Sequence, residues 1–345
     1  MMTINKSIQQ KIRIPFIDTT KGILIIFLVF HHIVNMAKDK MPIENLEFIT
    51  QWDKLYVPYF MQAFFFITGY CSSFNKKTKY FLYSNAKSLL IPLLVFCILN
   101  QFFSWAINGD DFWFVTVLDI RFFFVTELYW FLSALFIAKI LLFAITRIST
   151  KTKIQFALVL IPFVAAISLN TRHFHAYNWF HWHNGLVNLM FLWIGYTFKQ
   201  HQSLNEKLKQ YGIISLVLYF VGLIVCVVFD KNIPYYTHFP HFNIKYTPLF
   251  TYFSLTGTIM IIFIGSLLQC SKELSFLGRN TIVVYGVHFS ILSIVIKSLS
   301  SFYVPNDHVG GLVFYLLTGG ATLLISYWCC LLFQKSPFTY LIGKF

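Results

Sequence analysis

The chain has 345 residues, of which 57% are hydrophobic, 20% aromatic and only 12% charged, with a mean hydropathy of +0.65. Soluble globular chains carry about 25% charged residues, which excludes a soluble enzyme, a disordered chain and a collagen-like fibre. The net charge of +14 is not gathered into a basic run dense enough to track a phosphate backbone, so no nucleic-acid partner is expected.

A helix needs roughly 20 mostly apolar residues to cross a bilayer. In chain order, ten segments answer to that: 16–36, 56–74, 85–107, 124–146, 154–170, 183–199, 211–229, 247–268, 279–300 and 309–334. The stretch 112–124, interrupted by Asp119 and Arg121, reads as an interfacial segment. The first apolar run holds His31 and His32 and lacks a small-residue cleavage site, so it reads as a span and not as a cleavable signal. The expected fold is all-α, a polytopic helical membrane protein with about ten transmembrane helices, forming one integral membrane domain over residues 1–345.

Charge distribution predicts the orientation. With the N-terminus inside, the inner segments hold eighteen cations against three carboxylates, and the outer segments eight cations against ten. The positive-inside rule then places both termini in the cytoplasm. Lys76, Lys77 and Lys79 fix topology and meet anionic membrane lipid. Cys71, Cys97, Cys226, Cys270, Cys329 and Cys330 show no CxxC spacing, and neither a disulfide framework nor a structural metal is expected of them.

Ionisable groups inside spans are costly and mark candidate function. In the first span Lys21 and His32 are eleven residues apart. At about 100° per residue they return to within about 20° of one face, roughly 16 Å apart along the axis. Asp18 lies one turn below Lys21, and His31 is rotated about 80° from it. A lysine at the inner boundary suits a phosphate, and a neutral imidazole near the midplane suits a general base. The alternative is a snorkelling lysine and a histidine bonded to a neighbouring helix. Lys139, inside the fourth span, needs a polar cavity or a carboxylate. Arg172, His173, His175, Trp179, His181, Trp182 and His183 form an aromatic, His-rich segment read as an interfacial belt in preference to a zinc site.

The motif Asp18-x-x-Lys21-x10-His32 resembles the basic-residue–x10–His signature of the acyltransferase 3 family, multi-spanning acyltransferases of the fucose 4-O-acetylase and polysaccharide O-acetyltransferase type. Further segments are similar in order: Phe64-Phe65-Phe66-Ile67-Thr68-Gly69-Tyr70, Lys87-Ser88-Leu89-Leu90-Ile91-Pro92, Leu128-Tyr129-Trp130-Phe131-Leu132, Phe191-Leu192-Trp193-Ile194-Gly195-Tyr196, and Leu277-Gly278-Arg279-Asn280-Thr281 running on to Tyr285 and His288. The resemblance covers roughly residues 14–335. Lys21 stands where arginine is commoner, keeping the charge without the bidentate fork.

The resemblance implies O-acetyl transfer from cytoplasmic acetyl-CoA to a hydroxyl of a cell-surface glycan or its lipid-linked precursor, in the cytoplasmic (inner) membrane. It implies His32 as base and His288 as its companion. Lys21, Asp18, Lys87 and Arg279 would serve the donor, and Glu127, Trp130 and Tyr285 the acceptor. No permanently bound cofactor is implied. A sugar transporter or flippase, or transfer of another acyl group such as succinyl, stays open on the sequence alone.

Overall fold

Each of the ten apolar segments contains a helix in the computed structural model, which describes residues 14–38, 40–109, 128–168, 179–201, 207–229 and 247–343. The stretch 112–124 and residues Arg172, His173 and His175 lie outside them. The helices are α1 (Pro15–Met36), α2 (Ile43–Asp53), α3 (Phe60–Cys71), α4 (Thr78–Asn85), α5 (Ile91–Asn108), α6 (Trp130–Ile148), α7 (Thr152–Ser168), α8 (Trp182–Gln200), α9 (Leu208–Val228), α10 (Thr247–Leu267), α11 (Lys272–Arg279), α12 (Thr281–Phe302), α13 (His308–Phe333) and α14 (Phe338–Leu341). A five-residue π turn, Ala86–Leu90, joins α4 to α5.

Seven stretches among the described residues are long and apolar enough to cross a membrane: α1, the run Thr78–Ile107, α6, α9, α10, α12 and α13. The chain is a polytopic helical membrane protein. Of the other three expected spans, two are shorter apolar helices, α3 and α7, and the third, the 19-residue α8, is not among those seven. Pro58 has no N–H to continue a helix, and the residues before Phe60 fold as turns, with Tyr59 N donating to the Tyr56 carbonyl at 3.1 Å. The sequence reading also missed α2 and α11, both too short and too polar to register as spans.

Helix ends follow local chemistry. Pro15 opens α1, where its missing N–H costs nothing. Gly109 ends α5 in the left-handed conformation at φ 72°. Asp307 caps α13 by accepting from Gly310 N at 2.6 Å, and Ser271 caps α11 by accepting from Leu274 N at 3.2 Å.

Helix α1 is the axis of the packing: α2, α3, α10, α11, α12 and α13 all lie against it. The approach to α11 is the closest. A Cβ on Gly278 would stand 1.7 Å from the Asp18 carbonyl oxygen, and one on Gly22 would stand 2.1 Å from that of Leu274. Glycine on both helices lets the two backbones touch, as small residues do where no hydrophobic force drives helices together. The same device joins α3 to α8, through Gly69 against Leu192 and Gly195 against Phe66.

Gly278→Ala must push α11 off α1, and the expected cost is about 1–3 kcal/mol, read as a lowered melting temperature of the detergent-solubilised protein. Gly320→Ala is the control: open space surrounds that position, and its melting temperature should match wild type.

Candidate active site

At the Lys21 end of the bundle, the first turns of α1 and α12 and the last turns of α3, α8, α11 and α13 leave a cavity of about 950 Å³. Its wall carries Lys21, Lys199 and Arg279 with Asp18, Asn280 and Gln334. The N-terminus of the 22-residue α12 also lies there, with Arg279, Asn280, Thr281 and Ile282 all in the lining. Three cations and the positive end of a helix dipole together form an anion-receptive surface. Gln334 Nε2 donates to Asn280 Oδ1 at 3.3 Å, and Asn280 Nδ2 donates to the Phe276 carbonyl at 2.9 Å. This fixes the residue ahead of α12.

A second cavity of about 150 Å³ shares Lys21, Thr281 and Ile282 with the first. Beyond Lys21 it is mostly apolar, walled by Ile25, Leu28, Met61, Phe64, Leu89, Phe131, Leu132 and Leu135, with Thr68, Thr281 and Tyr285 as its other polar members. Lys21, Ile25 and Leu28 recur on one helix face, and the next residue of that series is His32. On α12 the corresponding series passes from Tyr285 to His288. Both walls therefore point to the imidazoles.

The His32 and His288 rings lie 5.1 Å apart, with Phe289 4.5 Å from His32 and 4.2 Å from His288. His288 is fully buried, and its Nδ1–H donates to the Tyr285 carbonyl at 2.7 Å. A carbonyl only accepts, so the ring is the Nδ1–H tautomer and Nε2 presents a lone pair. That Nε2 has no hydrogen-bond partner among the described residues. Tyr285 buries its hydroxyl beside the Phe131 backbone without completing a hydrogen bond. Tyr129, also fully buried, donates its hydroxyl to the Gly286 carbonyl at 2.8 Å and ties the start of α6 to this turn of α12.

The two adjacent histidines of α1 face different neighbours. His32, half-buried, looks to α12, whereas His31 is bonded through Nδ1 to Asp53 at 3.0 Å. Helical phase, which separates positions 31 and 32 by about 100°, is what divides them.

The structure thus brings together Asp18, Lys21 and Arg279 in one cavity, and it sets His32, His288 and Tyr285 in a row of ring contacts of which Tyr285 alone lines the second cavity. It does not bring Lys87 there. Lys87 lies in the π turn and lines a different depression with Tyr83, Tyr340 and Gly343. Trp130 opens α6, half-buried and edge-on to Phe131 at 6.2 Å. Glu127 lies outside the described residues. Lys139 is half-buried within α6, and His183 Nε2 is 2.7 Å from the Ala166 carbonyl of α7. No cluster of three or more His, Cys, Asp or Glu side chains is placed to hold a metal ion among the described residues. Sequence reasoning missed Lys199, three residues beyond the Gly195-Tyr196 motif, because a cation at the end of a span has a topological explanation. It also missed Asp53 and the part played by Tyr129.

A family profile described as an acyltransferase domain, that of the acyltransferase 3 family, matches residues 14–331. No curated protein and no solved structure matches the chain. Since the profile spans nearly the whole chain, and the chain is built of membrane-spanning helices, this protein belongs to the acyltransferase 3 family and is a multi-pass membrane acyltransferase.

Proposed function

We propose that the protein transfers an acetyl group from cytoplasmic acetyl-CoA to a hydroxyl of a cell-surface glycan or its lipid-linked precursor. In this reading both termini and the Lys21 end face the cytoplasm, the protein sits in the cytoplasmic (inner) membrane, and residues 1–345 act as one domain. The observation that carries it is that two unlike cavities share Lys21 in their walls, a cationic one and an apolar one whose helix faces run on toward the His32–His288 pair. A donor with a phosphorylated head and a neutral thioester tail has that same division.

Lys21, Lys199 and Arg279 hold the donor phosphates, and Asp18 orients Lys21 at the helix entrance. Lys87, outside the cavity lining, contributes field without contact. Apolar space of about 150 Å³ holds a ligand the size of benzene, which is the size of the acetyl thioester end, CH3–CO–S–CH2–CH2. The acceptor reaches the imidazoles from the opposite side, and Trp130 and Glu127 serve its recognition. His32 takes the proton of the acceptor hydroxyl as its oxygen bonds to the thioester carbon. The C–S bond breaks and the proton leaves with the thiolate sulfur. His288 Nε2 accepts a hydrogen bond from a neighbouring hydroxyl of the acceptor, and the Tyr285 hydroxyl donates to the thioester oxygen, where preorganised donors act most strongly.

Transfer of labelled acetyl from acetyl-CoA to the glycan fraction of membranes containing the protein tests the reading directly. His32→Ala should lower it by 10²–10⁴-fold, the usual weight of a general base; wild-type transfer by that variant would falsify the mechanism.

Lys21→Ala should raise the KM for acetyl-CoA about tenfold with little change in kcat, because a phosphate contact remote from the reacting bond binds ground and transition states alike. Lys21→Arg should retain most of the affinity.

Among acyl-CoA donors, acetyl and propionyl should be transferred at comparable rates and palmitoyl at least tenfold more slowly, measured by CoA release with the same membranes. Equal rates for palmitoyl would refute the size argument.

A further inference from the structure

On the side of α1 away from α12, a second polar cluster is built around a carboxylate. Asp53, the last residue of α2, is fully buried. Its Oδ2 meets His31 Nδ1 at 3.0 Å. Its Oδ1 accepts from the Tyr56 hydroxyl and from the Tyr315 hydroxyl of α13, the latter at 3.3 Å. An ionised carboxylate only accepts, and each of these three neighbours has a hydrogen to give it. The His31 ring is packed on Phe60 of α3 at 5.7 Å and stands 5.3 Å from the His32 ring. The order across the molecule is therefore carboxylate, imidazole, imidazole, imidazole, from Asp53 through His31 and His32 to His288.

We propose that Asp53 and His31 form a positioning pair for His32, in which the carboxylate fixes the His31 ring as a wall for His32 and supplies the negative charge that favours His32 in its protonated form. This rests on the reading of His32 as the general base. When His32 takes the acceptor proton it becomes a cation in a water-poor setting. A fixed anion one ring away offsets that charge without any rearrangement at the moment of reaction. The proton stays on His32 until it leaves with sulfur, and Asp53 is not itself protonated, so no further donor or acceptor is required. Unlike the buried carboxylate of a hydrolase triad, which contacts the catalytic imidazole directly, Asp53 acts through an intervening ring. Among the described residues, the His31 and His288 rings lie against His32, Tyr285 and Tyr129 lie beyond His288, and Asp53 with Tyr56 and Tyr315 lies beyond His31. Asp53 is the one acidic side chain among them.

The test is Asp53→Asn in the full-length protein in membranes, read by the pH profile of acetyl transfer from acetyl-CoA. Removing the charge lowers the proton affinity of His32. The expected result is a kcat about tenfold lower, a KM for acetyl-CoA within twofold of wild type, and an acid limb moved to lower pH by about half to one unit. Asp53→Glu should recover part of both effects. A second reading is independent of any acceptor: the pH dependence of His32 modification by diethyl pyrocarbonate, followed by peptide mass spectrometry, should shift in the same direction. If Asp53→Asn does not accumulate as folded protein, His31→Asn decides. It keeps an N–H for Asp53 but removes the ring, and should lower kcat similarly with unchanged KM. A folded Asp53→Asn or His31→Asn with wild-type kcat and pH profile overturns the proposal, while His32→Ala remaining inactive leaves the general-base reading intact. Full activity in His32→Ala instead removes that reading and this one with it.

Discussion

The contact between the backbones of α1 and α11 organises the cationic end of this protein. It exists because Gly22 and Gly278 have no side chains, so that each helix meets a carbonyl of the other where a methyl group would otherwise stand. Thr19 and Ser275 add a hydroxyl contact of 3.1 Å across the same seam. Through it α11 delivers Arg279 beside Lys21 and Asp18, and it sets where α12 begins. The depth of His288 against His32 follows from that starting point, since α12 then runs without interruption from Thr281 to Phe302. One seam thus sets both the cationic mouth and, seven residues further on, the second imidazole.

Burial of polar groups divides α1 lengthwise. Toward α12 lie the lone pair of His288 and the unbonded hydroxyl of Tyr285, groups that a membrane interior tolerates only at a cost. Toward α2 and α13 lies Asp53, with hydrogen-bonding neighbours on both oxygens. Groups left unsatisfied suit a place where a substrate completes the bonds, and groups already satisfied suit a support.

Much of this was legible in the sequence for one reason: helical phase is regular. The eleven-residue spacing of Lys21 and His32 needed only the pitch of a helix to become a shared face, and the late Tyr285–His288 turn could be set at a similar depth by counting. What counting could not reach was the pairing of helices. Asp53 lies 22 residues from His31 beyond a loop, and nothing in its neighbours distinguishes it from a surface carboxylate. Lys199 looked like one more boundary cation. Lys87 misled in the opposite direction, because adjacency to a motif does not say where a side chain leaves a helix, and here it leaves from a π turn, whose wider winding changes the angular spacing of its residues. The helices α2 and α11 carry too few apolar residues to announce themselves, yet α2 delivers Asp53 to the interior and α11 delivers Arg279 to the cationic mouth.

Lys21 belongs to the walls of both cavities, and this makes it a boundary between two unlike environments. On one side an anion finds three cations and a helix terminus; on the other it finds leucine, phenylalanine and methionine. An anion that reaches the lysine gains nothing by going further and would lose its counterions if it did, whereas an uncharged group passes without penalty. The junction therefore sorts a molecule by parts, holding back the charged portion and admitting the neutral one. A free short-chain carboxylate is held at the same point for the same reason, so the apolar cavity stays open to uncharged groups alone.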